Sequence, residues 1–248
     1  MHDQLAWRKT FGVLGPSTNT IVQPDFDDMR VPGVTNHYSR IIVEDAQALS
    51  DESFMAGTLE ISENTLEAVR GVMTCNPDHL VMGMSAVTFY GGAEGSTKWK
   101  SNVEQAAGIG LTMGSESLVA AIAAYGNIKK VAFLSPYFPI ANKHVRHYLA
   151  DHGIETVADH CLRCPSWTAI SQVSEKTLID TLKYLDDDNV DALLQVGTNL
   201  SMVRVAAAAE RWLNKPVIAI NTATYWNALR SNGIQDKIVG LGRLLERY

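Results

Sequence analysis

The chain has 248 residues, a formal net charge of −6, and 46% hydrophobic against 19% charged residues. These values suit a globular protein with a sizeable core, built as one large α/β domain or two small ones. The negative charge argues against nucleic acid or an anionic membrane as the main partner, and no apolar run is long enough to span a bilayer. The opening residues do not resemble a secretory signal, so we expect a cytoplasmic protein.

The predicted strands are short, continuous apolar runs, which are typical of parallel strands covered by helices on both faces. In chain order they fall at 10–15, 79–85, 129–135, 191–197 and 216–221, with further strands expected at 34–45 and 154–162. Apolar spacing and end signals predict helices between them, at 51–73, 115–127, 139–153, 174–188 and 201–215. This alternation predicts βαβ units and parallel sheets.

A faint internal repeat divides the chain into two halves. The strand ending in GPSTNT resembles the one ending in SPYFP, and LVMGMSAVT resembles LLQVGTNLS. We therefore predict an α/β fold of two pseudo-symmetric lobes, 1–116 and 117–248, each a mostly parallel sheet flanked by helices, with a cleft between them. The last helix could cross back to the first lobe.

Four turns after predicted strands carry neutral hydrogen-bond donors, at 15–20, 84–92, 135–139 and 196–200. Ligands of open α/β sheets bind outside the carboxyl ends of strands, and the N-termini of the helices that follow attract anions. Such donors also stabilise an enolate as its charge develops. Together these turns predict a site for a small carboxylate, although Ser, Thr and Asn also cap helices in inert turns.

The residues of these turns resemble those of a known family. GPSTNT, TFYGG, SPYFPIANKHVRHYL, VGTNL and PVIAINTATYWNALR are similar to segments of the maleate cis–trans isomerase and arylmalonate decarboxylase family, within the aspartate/glutamate racemase superfamily, over nearly the whole chain. The resemblance implies a two-lobed α/β enzyme with a cysteine from each lobe in the isomerases and only the second cysteine in the decarboxylase. The residue-wise match places Met84 and Gly197 at those two positions, so thiol-addition isomerisation and two-cysteine racemisation are not expected.

The candidate site residues follow from this match and from the chemistry of the side chains. We expect Tyr137 and Ser85 to stabilise negative charge. We expect His37 to move a proton, because its ordinary pKa lies near neutrality, and Arg40 to clamp a second carboxylate; an exposed loop histidine and a surface arginine are the alternatives. The expected substrate-binding residues are Asn19, Ser17, Met84, Ala86, Gly197, Thr198, Asn199 and Arg40.

The pair Cys161 and Cys164 forms a C-x-x-C motif without the further ligands that a structural zinc would need, so no metal site is predicted. The resemblance places this segment near the cleft, where one of the thiols could have taken a role. Trp167 falls about where the isomerases carry a ligand-facing asparagine. No cofactor is expected, because no dinucleotide-binding or phosphate-binding motif is present.

The resulting hypothesis is an enzyme that acts on a small carboxylate or dicarboxylate through an enolate-like intermediate, of the decarboxylase (lyase) or isomerase type but without the family cysteines. Two alternatives stay open. One is a hydrolase that uses activated water on the same scaffold, and the other is a carboxylate-binding protein that has lost catalysis. The resemblance also implies a homo-oligomer.

Overall fold

Two four-stranded parallel sheets organise the chain in a computed structural model that describes residues 4–45, 47 and 49–248. The first sheet contains β1 (Lys9–Pro16), β2 (Val34–Ile41), β3 (His79–Met82) and β4 (Leu111–Thr112). The second contains β5 (Lys130–Ser135), β6 (Glu155–Cys161), β7 (Ala192–Gln195) and β8 (Val217–Ala219). The flanking helices are α1 (Val22–Asp28), α2 (Asp51–Met73), α3 (Gly92–Ala107), α4 (Gly114–Tyr125), α5 (Pro139–Asp151), α6 (Glu175–Leu185), α7 (Val203–Leu213), α8 (Ile220–Ser231) and α9 (Arg243–Arg247).

The strand order makes the two sheets equivalent. It is β2-β1-β3-β4 in the first and β6-β5-β7-β8 in the second, and every pair within each sheet is parallel. In each sheet the chain therefore runs from a central strand to the edge and then back across it. This confirms the predicted α/β fold with two similar parallel sheets flanked by helices.

The strand and helix bounds differ from the predicted ones mainly at the ends. The predicted strand 34–45 ends at Ile41, and the predicted strand 216–221 ends at Ala219, where α8 begins. The patterns did not indicate β4, which is only two residues long, or α3, whose sequence GAEGSTKWKSNVEQAA offers little apolar periodicity. Short and mostly polar elements form because their neighbours pack on them, and that information is not local.

End signals explain where two of the helices start. Ser50 precedes α2, and its Oγ accepts a hydrogen bond from Ser53 N at 3.2 Å, while Ser53 Oγ accepts from Ser50 N at 3.0 Å. Pro139 opens α5 at a position that needs no backbone donor. The turns at these helix starts are thus fixed relative to the strands before them, and α5 begins directly after the β5 turn.

Helix α8 lies against the first sheet although it follows the last strand of the second. The Tyr225 ring packs on Phe11 and Phe26 at centroid distances of 6.0 and 5.1 Å, and its hydroxyl donates to Asn36 Oδ1 at 3.0 Å. The predicted division between 116 and 117 falls inside α4, so that boundary stays a prediction. Within the described residues, no helix has the length and apolar character needed to cross a membrane.

Candidate active site

The four predicted turns meet at one edge, where the carboxyl ends of β1, β3, β5 and β7 face each other across the two lobes. They enclose a cavity of about 40 Å³. That volume holds roughly three water-sized groups, which is enough for one carboxylate group of a ligand. The cavity is lined by Pro16, Thr18, Asn19, Ile61, Met84, Ser85, Ala86, Tyr137, Trp167, Ile170, Gly197, Thr198 and Asn199.

A cluster of three donors joins the lobes inside this cavity. Ser85 Oγ and Tyr137 Oη lie 2.7 Å apart, and Gly197 N donates to Ser85 Oγ at 3.1 Å. Tyr137 is only 3% exposed, and burial raises the pKa of its phenol, so the hydroxyl keeps its proton near neutral pH. Two hydroxyls and one amide N–H therefore meet from both lobes and hydrogen-bond one another, which leaves one hydroxyl hydrogen of the Ser85–Tyr137 pair to donate to a bound oxyanion.

Another part of the cavity wall is apolar. Trp167 packs against Phe54 with ring centroids 5.0 Å apart and lies over Gly57, where an added Cβ would approach Trp167 Cζ2 to 2.8 Å. Ile61 and Ile170 complete this wall beside the Trp167 ring. Neither isoleucine could be predicted from sequence patterns, because an apolar residue on a helix gives the same signal whether it lines a site or the core.

The amide side chains of the cavity hold the two lobes together. Asn19 Nδ2 donates to Thr198 Oγ1 at 2.9 Å, and Thr198 Oγ1 donates to Gly83 O at 2.9 Å. Asn199 Oδ1 accepts from Thr20 N at 3.0 Å, and its Nδ2 donates to Trp167 O at 2.9 Å. All of these groups are satisfied by protein partners, so they shape the cavity before any ligand contacts them.

Three of the expected residues do not reach the cavity. Ser17 Oγ accepts from Val43 N at 3.1 Å and donates to Val43 O at 3.2 Å, so it fixes the segment after β2. His37 pairs with Gly12 in the middle of the sheet. It lies four residues before the end of β2, a distance of about 13 Å along the strand, and its Nε2 contacts Thr35 Oγ1 at 2.9 Å.

The third is Arg40, whose guanidinium donates to Asn19 O at 3.0 Å and to Gln23 Oε1 at 2.7 Å. It supports the first turn from behind and does not line the cavity. His37 and Arg40 instead border a separate, open groove beside Cys75. Both residues were expected at the site from their side-chain chemistry and the family resemblance, neither of which gives the distance from β2 to the cavity.

The thiols do not line the cavity. Of the three cysteines, Cys75 is exposed and Cys164 is buried, and none is among the described residues that line the cavity. Burial raises the pKa of both Cys161 and Cys164 to about 11, so neither is a ready thiolate. No group of three or more histidine, cysteine or acidic residues suited to a metal ion occurs in the part of the chain that is described.

Gly197 adopts a backbone conformation that excludes a side chain. Its φ is +104°, which L residues rarely adopt, and an added Cβ would come within 2.5 Å of Pro136 Cγ. A cysteine at this position would therefore require the turn to move. Met84, in contrast, contributes its side chain to the cavity.

The two parallel sheets and the cavity between them define a two-lobed α/β protein with the architecture of the maleate isomerases. The maleate cis–trans isomerase of Nocardia farcinica, solved as a cysteine-to-serine variant with a covalently bound succinylcysteine intermediate, superposes with a TM-score of 0.86. The two share 20% identity over 97% of this chain and 99% of that one. This likeness shows the fold.

The chain belongs to the arylmalonate decarboxylase family, whose model matches residues 46–245. The arylmalonate decarboxylase of Bordetella bronchiseptica is 25% identical over 81% of this chain and 89% of the relative. The maleate isomerase of Alcaligenes faecalis is 25% identical over 118 residues, so that match spans about half of either protein, 47% of each. The family resemblance inferred from the turns is thereby confirmed, and the named relatives are lyases and isomerases.

Proposed function

We propose that the chain is a cofactor-independent enzyme that decarboxylates a small dicarboxylate of the 2-substituted malonate class through an enolate-like intermediate. The proposal depends on the hydrogen-bonded cluster of Ser85, Tyr137 and Gly197 N–H, which shares one small cavity with an apolar wall. The relatives are named for arylmalonate decarboxylation and maleate isomerisation, which are both reactions of small dicarboxylates.

The donor cluster would hold the carboxylate that remains in the product. When the other carboxylate leaves as carbon dioxide, the electron pair of the breaking C–C bond moves into the retained carboxylate. The retained group becomes an enediolate with one more negative charge. Donors that the fold already gathers at one point stabilise that added charge more than they stabilise the substrate, which lowers the barrier.

The apolar wall would receive the departing carboxylate. A carboxylate against Trp167, Ile61 and Ile170 loses water without gaining a hydrogen bond, whereas neutral carbon dioxide loses little there. The loss of hydration thus raises the free energy of the bound substrate relative to that of the transition state.

One proton then completes the reaction on the carbon of the enediolate. The Tyr137 hydroxyl is the candidate donor within the cavity, with re-protonation from water, so each turnover takes one proton from solvent. Its raised pKa does not prevent this transfer, because the enediolate carbon is a far stronger base than a phenolate.

Two other chemistries have less support. Thiol addition, as in an isomerase with a succinylcysteine intermediate, lacks a cysteine among the described lining residues. A hydrolase would need a base to activate water, and the described lining residues include no histidine, carboxylate or lysine. Carboxylate binding without turnover stays the alternative that the experiment must separate.

The test is carbon dioxide release from methylmalonate, vinylmalonate and phenylmalonate, with proton incorporation followed by NMR in deuterated water. We expect turnover of the smaller substrates and a loss of about 100-fold in kcat/KM for Tyr137→Phe, the size seen when one oxyanion donor is removed. Tyr184→Phe, at a tyrosine that is 75% exposed, is the matched control. Thermal stabilisation by malonate without any turnover would indicate a binding protein, and full activity of Tyr137→Phe would contradict the assigned donor cluster.

A further inference from the structure

Asp25 is a partly buried carboxylate on α1 that lies behind the Gly197–Asn199 turn and takes no part in the donor cluster. Its Oδ2 accepts a hydrogen bond from Asn221 Nδ2 at 2.7 Å. The same nitrogen donates to Thr198 O at 2.9 Å. One amide group therefore connects the carboxylate of the first lobe to the backbone of the turn that lines the cavity.

The acceptors on both sides fix the orientation of the Asn221 amide. A carboxylate and a carbonyl oxygen both need a donor, so the NH₂ group must face them and both of its hydrogens are used. Asn221 is only 2% exposed, and its Oδ1 has no hydrogen-bond partner among the residues that the structure describes. With the NH₂ group of Asn221 turned towards Asp25 and Thr198, its side-chain carbonyl oxygen points to a place without a described hydrogen-bond donor.

A second connection joins the same helix and the same turn. Asn19 Oδ1 accepts from Ile21 N and Val22 N at 3.0 Å each, at the start of α1, while Asn19 Nδ2 donates to Thr198 Oγ1. Helix α1 therefore holds Thr198 from two directions, through Asn19 at its first turn and through Asp25 and Asn221 further along. The Asn19 and Asn221 side chains therefore both fix the Gly197–Asn199 turn relative to α1.

We propose that Asp25 is a positioning residue: its negative charge anchors Asn221, which holds the Thr198 carbonyl and thereby fixes the turn whose Gly197 amide donates to Ser85 in the donor cluster. The inference rests on the proposed function for the identity of the bound group. A hydrogen bond to an ionised carboxylate is roughly twice as strong as one to a neutral carboxyl. Protonation of Asp25 loosens the turn and weakens carboxylate binding.

The surroundings of Asp25 place this change close to neutral pH. Burial raises its pKa to about 6, and Asp28 on the same helix also raises it, whereas the Asn221 hydrogen bond and Arg204 on α7 lower it. Tyr38 on β2 also faces this group, and burial keeps that phenol neutral. Arg204 donates to Asp28 at 2.7 Å, so Asp25 has no direct cationic partner among the described residues.

The test measures trifluoroacetate binding by calorimetry from about pH 5 to about pH 8, on either side of the Asp25 pKa. This probe stays ionised over the whole range, so its own titration does not contribute. We expect the wild-type Kd to weaken about fivefold at the acid end, the factor expected when a charged hydrogen bond becomes neutral. Asp25→Asn keeps an acceptor without the charge, and its Kd should equal the acid-limit value at every pH.

Asp28→Asn is the matched control, since it removes a charge from the same helix without touching Asn221, and binding should still depend on pH, with a midpoint below that of the wild type because Asp28 raises the pKa of Asp25. Amide NMR of the ligand-free protein supplies an independent readout. The Gly197 and Thr198 amide signals should shift with a midpoint near pH 6 in the wild type and at a lower pH in Asp28→Asn, whereas they should not titrate in Asp25→Asn.

Three results would overturn the inference: amide signals that do not titrate, tighter binding at low pH, or an Asp25→Asn variant that binds like the wild type at high pH. If the two amides titrate in the wild type while trifluoroacetate binds at no pH, the proposed function fails and the positioning role of Asp25 for the turn stands.

Discussion

Replacing Asp25 with asparagine should stabilise the protein near neutral pH. Burial raises the pKa of this carboxyl from its ordinary value of 3.8 to about 6, so the fold disfavours its charged form. A residue kept at a cost in stability is expected where it serves a site. Asparagine has nearly the same shape and still accepts the Asn221 hydrogen bond, but it carries no charge to desolvate.

The magnitude follows from proton linkage. A raised folded pKa means that the folded state binds the proton more tightly, so this contribution to stability is present at low pH and is lost as pH rises from 3.8 to about 6. At about 1.4 kcal/mol per pH unit, that interval corresponds to about 3 kcal/mol. Asp25 is only partly buried, and we therefore expect Asp25→Asn to gain about 1–3 kcal/mol near pH 8 and almost nothing near pH 4.

The assay is urea unfolding of the wild type, Asp25→Asn and the control Asp28→Asn at about pH 4 and about pH 8, with equal m-values required for the comparison. The difference between Asp25→Asn and the wild type should grow with pH. An Asp25→Asn protein that is less stable than the wild type at pH 8 would refute the reasoning, because the carboxylate would then stabilise the fold.

Further predictions concern the walls of the cavity. Gly197→Ala should lower the free energy of unfolding by about 2 kcal/mol or more. The loss should exceed that of the control Gly240→Ala, because Gly240 also has a positive φ, of 90°, but has no atom within 4 Å of an added Cβ. Equal losses in urea unfolding would mean that Pro136 leaves room for a side chain at position 197. Trp167→Ala should cost about 3–5 kcal/mol in stability and raise kcat/KM for phenylmalonate relative to methylmalonate by at least about tenfold. An unchanged ratio would show that this wall does not set substrate size.

Local sequence patterns predicted the sheets and the strand-end turns well, because apolar runs and helix end signals are local properties. The turns that carry Ser85, Tyr137 and Gly197 could be found in this way, and the family resemblance then related them to one cavity. His37 was misplaced because its position along β2 relative to the cleft depends on strand length. Asp25 gave no signal, since an acidic residue in PDFDD resembles any solvated helix start until Asn221 is brought against it by the other lobe.

The most direct test of thiol-free catalysis is the activity of a cysteine-free protein. Cys75, Cys161 and Cys164 are replaced together by serine, and methylmalonate and vinylmalonate decarboxylation is compared with that of the wild type. Because none of the three lines the described cavity, we predict kcat/KM within about threefold of the wild type, with folding checked by urea unfolding. Loss of turnover in a folded cysteine-free protein would contradict the account, since a thiol would then be part of the chemistry.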